Sequence, residues 1–401
     1  MAAPPAAISP WRRLWVPLAA TLSVQISVNV SILSVAVLAP VIGPDLGVPA
    51  AWAGYFVALA YLAGAVVSAW SDRLLAPVGP MTASLIAQMM AMGALLLAST
   101  GELTLLALAA LVAGSALGLT TPTSSEILAA NAPPALYGRV FSIKQTAVPG
   151  AGLLVGLTSP TLAHQLGWQG ALLATAALLA GLGLALSTWR RRLDAARLQR
   201  RPRTGSPIAA VLADPLLLRL CLAGFCLAGV QLCLSTFFTA HLVLEVGLPL
   251  ALAGALYGLL QAMGVPARVV WGWLADQFFG VRQTITVLAV LATLGVAILT
   301  QVGPGTSPLL IAALAAFLGL SIMSWTGLLL AAAAQIDPAR ASTLTAGAMM
   351  FNFLGIVALP PLFGFVVART DSYAAGFTLA AAVSLTAVLL LATVRRRQGI
   401  G

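Results

Sequence analysis

The stretch WRRRLDAARLQRRPRTGSP, residues 189–207, contains seven arginines and lies almost at the middle of the 401-residue chain. Long apolar runs flank it on both sides, because 60% of the chain is apolar and only 7% is charged. No soluble surface can be built from a chain whose mean hydropathy is +1.02. A membrane-spanning helix needs about 20 mostly apolar residues. The sequence therefore predicts an all-α membrane protein.

Twelve apolar runs, each bounded by turn residues or charges, are long enough to span a bilayer. They are residues 14–39, 51–70, 80–99, 103–130, 138–163, 169–189, 215–240, 250–274, 283–302, 308–334, 341–367 and 373–394. The arginine-rich stretch divides them six and six. The expected organisation is an N-terminal six-helix bundle (1–189), an Arg-rich linker (190–214) and a C-terminal six-helix bundle (215–401).

The arginines predict the orientation. If both termini are cytoplasmic, seventeen of the twenty basic residues fall on the cytoplasmic side and only Arg369 falls outside. Because basic loops stay inside, both termini and the linker are expected to be cytoplasmic, in a multi-pass protein of the cell inner membrane. The first run is too long for a cleaved signal peptide and is expected to be retained. The two remaining basic residues, Lys144 and Arg268, fall within apolar runs.

Two short segments repeat in character in the two halves. GAVVSAWSDRLLAPVGP, residues 64–80, resembles RVVWGWLADQFFGVRQT, residues 268–284, and Asp276 follows Asp72 by 204 positions. Repeats of this kind are expected when two bundles rock about a central site.

The second copy resembles a known signature. GWLADQFFGVR, Gly272–Arg282, is similar to the cytoplasmic motif of the major facilitator superfamily between helices 8 and 9, and SDRLLAPVG, Ser71–Gly79, to its counterpart between helices 2 and 3. The resemblance covers essentially the whole chain and implies a transporter. It also implies a conformational latch formed by Asp72, Arg73, Asp276 and Arg282. Solvation at the membrane interface is the alternative reading of both aspartates.

Lys144 is the one lysine of the chain and lies in the fifth apolar run. An unpaired charge in hydrocarbon costs a few kcal/mol, so its ammonium must be hydrated or paired. Glu126, just before the bend that joins the fourth and fifth runs, reaches a similar depth and is the predicted partner. It is also the predicted proton carrier. The alternative is that Lys144 lies near the interface and its ammonium reaches water.

Arg268 lies on a polar stripe of the eighth run. Tyr257, Gln261, Gly264 and Arg268 fall on one helical face, which predicts that this face lines a cavity. An arginine suits a carboxylate because its planar fork donates two parallel hydrogen bonds. The placement resembles that of the oxalate and monocarboxylate carriers of the superfamily, although their helix-11 lysine is absent and Thr343, Thr345 and Asn352 are the polar residues there. Arg268 could instead brace the neighbouring signature.

Other polar residues are candidates for the pathway. The first run carries Gln25 and Asn29 four positions apart, and the seventh carries Gln231, Ser235 and Thr239. Asn352 in the eleventh run and Trp325 in the tenth complete the predicted substrate-binding set. Hydrogen bonding between helices, or simple packing of Trp325, would equally account for them.

The same residues argue against other classes of protein. His164 and His241 lie at helix ends away from any Cys/His cluster, and no glycine-rich phosphate loop follows a strand, so no metal, cofactor or enzymatic activity is expected. Cys221, Cys226 and Cys233 lie in one run and cannot pair with one another. The linker arginines are explained by topology and anionic lipid rather than by nucleic acid.

These observations predict a secondary active transporter that moves a small organic anion by alternating access, as a monomer in the lipid bilayer. Lys144 and Arg268 are its predicted positive contacts. The alternative is a proton-coupled exporter of hydrophobic or cationic drugs.

Overall fold

The computed structural model describes residues 10–75, 78–133, 136, 140, 143–195, 206–337 and 340–393, without the side chains of 10–13, 71–75 and 341–342. Helices account for nearly all of these residues. They are α1 (Pro10–Val37), α2 (Ala39–Asp45), α3 (Ala53–Leu75), α4 (Pro80–Ala98), α5 (Leu103–Asn131), α6 (Ala147–Ser187), α7 (Arg190–Asp194), α8 (Pro207–Ala213), α9 (Pro215–Leu244), α10 (Leu250–Leu274), α11 (Val281–Leu299), α12 (Pro308–Ile322), α13 (Trp325–Ile336), α14 (Ala341–Thr370) and α15 (Tyr373–Ala392).

Eleven helical runs of the described chain are long and apolar enough to cross a membrane. The prediction of an all-helical membrane protein is thereby confirmed. The predicted runs 138–163 and 169–189 correspond to one run, Ile143–Ser187, interrupted at Gly167. Gly167 has φ 72° and ψ 166°, a conformation that an L side chain rarely adopts, and it kinks the chain between two helical segments.

Two breaks in other spans were not predicted. The run Pro308–Ile336 is interrupted at Met323 and Ser324, between α12 and α13. The end of α10 continues into a π-helical segment, Ala275–Phe279, which Gly280 terminates with φ 75°. The first break leaves main-chain carbonyls at the end of α12 without helical partners, and that of Met323 is among them.

The helices pack in two groups. In the first group α3 and α4 pack on α5, and α1 packs on α6; in the second, α9 packs on α14 and α15, and α10 on α12. The principal contacts between the groups join α6 to α10 and α3 to α14. We call these contacts the seam and the two groups the N bundle and the C bundle.

Both described chain ends lie on the face that carries α7 and α8, which we call the linker face. The indole rings of Trp15 and Trp189 meet edge to face with centroids 5.4 Å apart. Arg219 donates from Nη1 to the main-chain oxygen of Thr393 at 2.9 Å. The opposite face is the distal face.

The start of the linker is hydrogen-bonded to the N bundle. The carboxylate of Asp194, in α7, accepts hydrogen bonds from the main-chain N–H of Met81 at 2.8 Å and from the hydroxyl of Thr82 at 2.5 Å. It therefore caps the first turn of α4, whose leading N–H groups have no helical partners. The predicted linker is thus partly helical, and its residues 196–205 lie outside the described chain.

The two bundles meet closely in the distal half of the seam. A Cβ atom on Gly54 of α3 would collide with the carbonyl of Pro360 in α14, and one on Gly156 of α6 would lie 2.5 Å from the carbonyl oxygen of Gly254 in α10. The rings of Phe237 and Phe363 stack beside this contact with centroids 4.3 Å apart. Glycine is required at both positions because the backbones themselves are in contact.

Candidate functional site

The polar stripe predicted on α10 faces the seam. Tyr257, Gln261 and Gly264 are buried, and Gln261 packs where Gly152 of α6 leaves room for it. A Cβ on Gly152 would lie 2.6 Å from Cδ of Gln261. Gln261 therefore lies against the opposite bundle, whereas Gly264 lies against Met323 of its own bundle.

Arg268, at the linker-face end of the stripe, donates hydrogen bonds to both bundles. Its Nε donates to the main-chain oxygen of Met323 at 3.0 Å, and its Nη1 donates to that of Gln145 in the N bundle. The Met323 carbonyl is available because α12 ends there. Arginine suits this position because its planar fork serves two acceptors at once.

Lys144 is the chain neighbour of Gln145, so its backbone lies next to the contact that Arg268 makes across the seam. Its side chain is only 3% exposed. The ammonium lies along α5, 3.5 Å from the main-chain oxygen of Thr121 and 3.4 Å from the hydroxyl of Ser125. Glu126, the next residue along α5, is half-buried. Its pairing with Lys144 stays a prediction.

Neutral polar groups continue the stripe toward the distal face. Gln261 Nε2 donates to the hydroxyl of Tyr257 at 2.7 Å and lies 3.4 Å from that of Ser235 in α9. Nearby, the indole N–H of Trp325 donates to Oε1 of Gln231 at 3.0 Å, which joins α13 to α9. Four residues of the predicted set are therefore linked in pairs within the C bundle.

The predicted residues of α1 and α14 have local partners. Asn29 donates to the main-chain oxygen of Gln25 at 2.7 Å, and Oε1 of the buried Gln25 has no hydrogen bond within the described chain. With its amide oriented to suit its neighbours, Asn352 donates to the main-chain oxygens of Ala348 at 3.3 Å and Gly224 at 3.2 Å. Asn352 therefore joins α14 to α9.

The structure describes the side chains of two of the four predicted latch residues. Asp276 is exposed in the π-helical segment, and Arg282, in the first turn of α11, is half-buried. The side chains of Asp72 and Arg73 lie outside the described part of the chain. The latch stays a prediction.

Two features of the structure were not predicted from the sequence. The carbonyls of Gln145 and Met323 carry no side-chain signal, and the hydroxyl residues around Met323 did not predict a break there. His241 was read as a helix-end residue, and it lies in the last turn of α9, fully buried and bonded to Glu245. Its spacing of four from Glu245 was the available signal.

Among the described residues no group of three or more His, Cys, Asp or Glu could hold a metal.

Two helical bundles that meet at a polar seam are an architecture shared by many secondary transporters. The sequence pattern of the Major Facilitator Superfamily matches residues 80–360, well over half of the chain. The chain belongs to the Major Facilitator Superfamily and is a transporter, not an enzyme.

Solved structures of other transporters have a similar fold. A bacterial homolog of the human lysosomal transporter Spinster, inward-facing and occupied, superposes with a TM-score of 0.73 at 15% identity, over 97% of each chain. A POT family transporter in complex with a peptide conjugate gives 0.75 at 13% identity, over 94% of this chain and 95% of that one. A D-xylose-proton symporter gives 0.73 at 14% identity, over 95% and 97%. A search of curated protein sequences gives no match.

Proposed function

We propose that this transporter moves a small organic anion across the cell inner membrane by alternating access, with Lys144 and Arg268 as its positive contacts. One observation carries the proposal. The guanidinium of Arg268, from the C bundle, hydrogen-bonds the residue next to Lys144, from the N bundle. An anion that touches both cations would therefore touch both bundles.

The chemistry of the seam suits a carboxylate. A carboxylate that leaves water must meet donors that compensate its desolvation, and charge-assisted hydrogen bonds to a guanidinium are about twice as strong as neutral ones. The described partners of Arg268 are two neutral carbonyls, which an anion can displace. Gln261 and Tyr257 supply neutral polar groups about two and three turns from Arg268, towards the start of α10.

The binding test uses purified, monodisperse protein and isothermal calorimetry with a panel of small carboxylates. Removal of one partner of a desolvated charge pair costs about 2 to 5 kcal/mol, or roughly 30-fold to several thousand-fold in affinity. Arg268→Ala and Lys144→Ala should both show this loss. Arg219→Ala, which removes an arginine of the linker face, is the matched control and should bind as the parent does. Unchanged affinity in both seam variants would favour the alternative, an exporter of hydrophobic or cationic drugs.

We also propose twelve crossings with the linker face in the cytoplasm. The segments of α6 before and after Gly167 are each about 20 residues long, enough for one crossing apiece. The arginines then lie inside, as the positive-inside rule requires. A tag at either terminus of the monomeric protein should be cleaved by protease only from the cytoplasmic side. Cleavage of both tags only from the outside would contradict the topology.

A further inference from the structure

A partly buried polar cluster lies at the distal end of the C bundle, remote from Arg268 and Lys144. Glu245 Oε2 lies 2.8 Å from Nδ1 of His241, at the end of α9, and accepts from the main-chain N–H of Ala374 at 3.2 Å. Its Oε1 accepts from the hydroxyl of Ser372 at 2.9 Å. Glu245 therefore ties the end of α9 to the start of α15.

The hydrogen bonds assign the protons of this cluster. The N–H of Ala374 can only donate to Glu245, and the hydroxyl of Ser372 donates to it at 2.9 Å. When Glu245 is a carboxylate it can only accept, so Nδ1 of His241 carries the hydrogen of their 2.8 Å contact. The ring nitrogen that remains, Nε2, is the place where a further proton can bind.

Nε2 of His241 is poorly prepared for a proton in this conformation. The side chain is fully buried, and no hydrogen bond reaches Nε2 from the described residues. The main chain of Val302 lies next to the ring. The rings of Tyr373 and Phe377 surround the imidazole, with centroids 6.2 and 5.4 Å away. A buried N–H without an acceptor destabilises the folded protein, because the group loses its hydrogen bonds to water.

The aromatic surroundings of His241 connect it to the seam. Phe237 lies one turn before His241 in α9, stacks on Phe363 and sits within 6.4 Å of Tyr373. A Cβ on Gly54 of the N bundle would lie 2.9 Å from Cζ of Phe237. Phe237 therefore links the aromatic neighbours of the imidazole to the N bundle, and separation of the bundles at the distal face would remove Gly54 from it.

Glu245 also borders a distal pocket of about 380 Å³ between the bundles. The N bundle contributes Pro44 to it and residues 48–51, none of which titrates, and the C bundle contributes Glu245, Asp371 and Tyr373. The remaining charges nearby are engaged elsewhere. Asp45 accepts from the indole N–H of Trp168 at 2.7 Å, and the guanidinium of Arg369 lies over the ring of Phe365. Protons from the distal side can therefore reach the His241 and Glu245 pair through this pocket.

We propose that His241 and Glu245 form a proton-binding site that controls opening of the distal seam. The closed seam denies Nε2 a partner, whereas an open seam lets water reach the ring, beside the carboxylates of Glu245 and Asp371. The distal-open form therefore binds the extra proton more tightly. By linkage, the state that binds more protons gains population as the pH falls, so acidification opens the distal seam.

The first test is a titration. The chain has two histidines, so a His164→Asn variant labelled with ¹⁵N-histidine reports on His241 alone. Its ring resonances should pass from the neutral to the imidazolium pattern in one step between pH 8.5 and 5. A ring that stays neutral over this range would overturn the proposal.

The second test is the distance between spin labels at Val48 and Ala368, which border the pocket on opposite bundles. The labels are placed in a background with Cys221, Cys226 and Cys233 replaced by alanine. The population at longer distance should rise severalfold on acidification, and the pH at the midpoint of this rise should equal the midpoint of the His241 titration. His241→Asn and Glu245→Gln should abolish the response, and His164→Asn, at an exposed histidine, should retain it. A response that persists in both site variants, or a titration without a distance change, would refute the proposal. Neither test needs a substrate, so failure here leaves anion binding at Arg268 untouched.

Discussion

The guanidinium of Arg268 crosses from the C bundle to the main-chain oxygen of Gln145 in the N bundle. The same guanidinium holds the carbonyl of Met323, where α12 ends. One side chain therefore joins α10 and the end of α12, both in the C bundle, to the N bundle. A ligand that takes this guanidinium from either carbonyl acts directly on the contact between the bundles.

The geometry predicts that lysine cannot replace Arg268. Arg268→Lys keeps the charge but loses the planar fork that reaches two acceptors at once. Carboxylate affinity should fall at least about tenfold in calorimetry, which is about 1.4 kcal/mol. Lys144→Arg, which also keeps the charge, should be tolerated better, because the two described hydrogen bonds of Lys144 run to a single helix, α5. Equal affinity of Arg268→Lys and the parent protein would contradict the role of the fork.

Gly54 should be essential for closing the distal seam. Gly54→Leu places a side chain against the carbonyl of Pro360, so the bundles cannot approach there. A cysteine introduced at Ala368 should then react faster with a membrane-impermeant maleimide than in the parent. Gly93→Leu is the matched control, because a Cβ there meets no atom within 4 Å. Identical labelling rates in Gly54→Leu and the control would contradict the prediction.

The cap that Asp194 provides for α4 should stabilise the protein. Asp194→Ala removes the acceptor of Met81 N–H and of the Thr82 hydroxyl, at a cost of about 0.5 to 2 kcal/mol. Thermal unfolding in detergent should begin at a lower temperature. Glu102→Ala is the control, since Glu102 precedes α5 without a capping hydrogen bond from its side chain. Equal shifts in the two variants would contradict the cap.

Asp276→Asn tests the latch. The exposed carboxylate lies in the π-helical segment between α10 and α11, away from the stripe. The substitution should therefore slow conformational exchange, measured by the rate of substrate counterflow, and leave calorimetric affinity within a few-fold. A parallel loss of affinity and rate in well-folded protein would count against the latch.

Apolar run lengths and turn residues predicted most of the fold. The runs 80–99 and 373–394, for example, correspond to Pro80–Ala98 and Tyr373–Ala392. They could not predict the interruption at Met323, because no charge, proline or glycine marks it. They also could not separate a kink at Gly167 from a loop, because the residues around it are helical on both sides.

The candidate site was also predicted only in part. Helical periodicity predicted that Tyr257, Gln261 and Arg268 share a face, and this face lies on the seam. The acceptors of Arg268 are main-chain oxygens, which residue type does not reveal. The position of Asn352 against Gly224 depends on how α14 packs on α9. That packing is set by long-range contacts that no local pattern encodes.

Flux in proteoliposomes tests the central claim most directly. Vesicles that contain the purified protein and a concentrated unlabelled carboxylate should accumulate the same carboxylate in radiolabelled form from outside, for at least one member of a panel of small carboxylates. The same vesicles made with Arg268→Ala or Lys144→Ala should not, whereas those made with Arg219→Ala should. Accumulation of organic cations but of no carboxylate, unaffected by the Arg268 and Lys144 substitutions, would contradict the account.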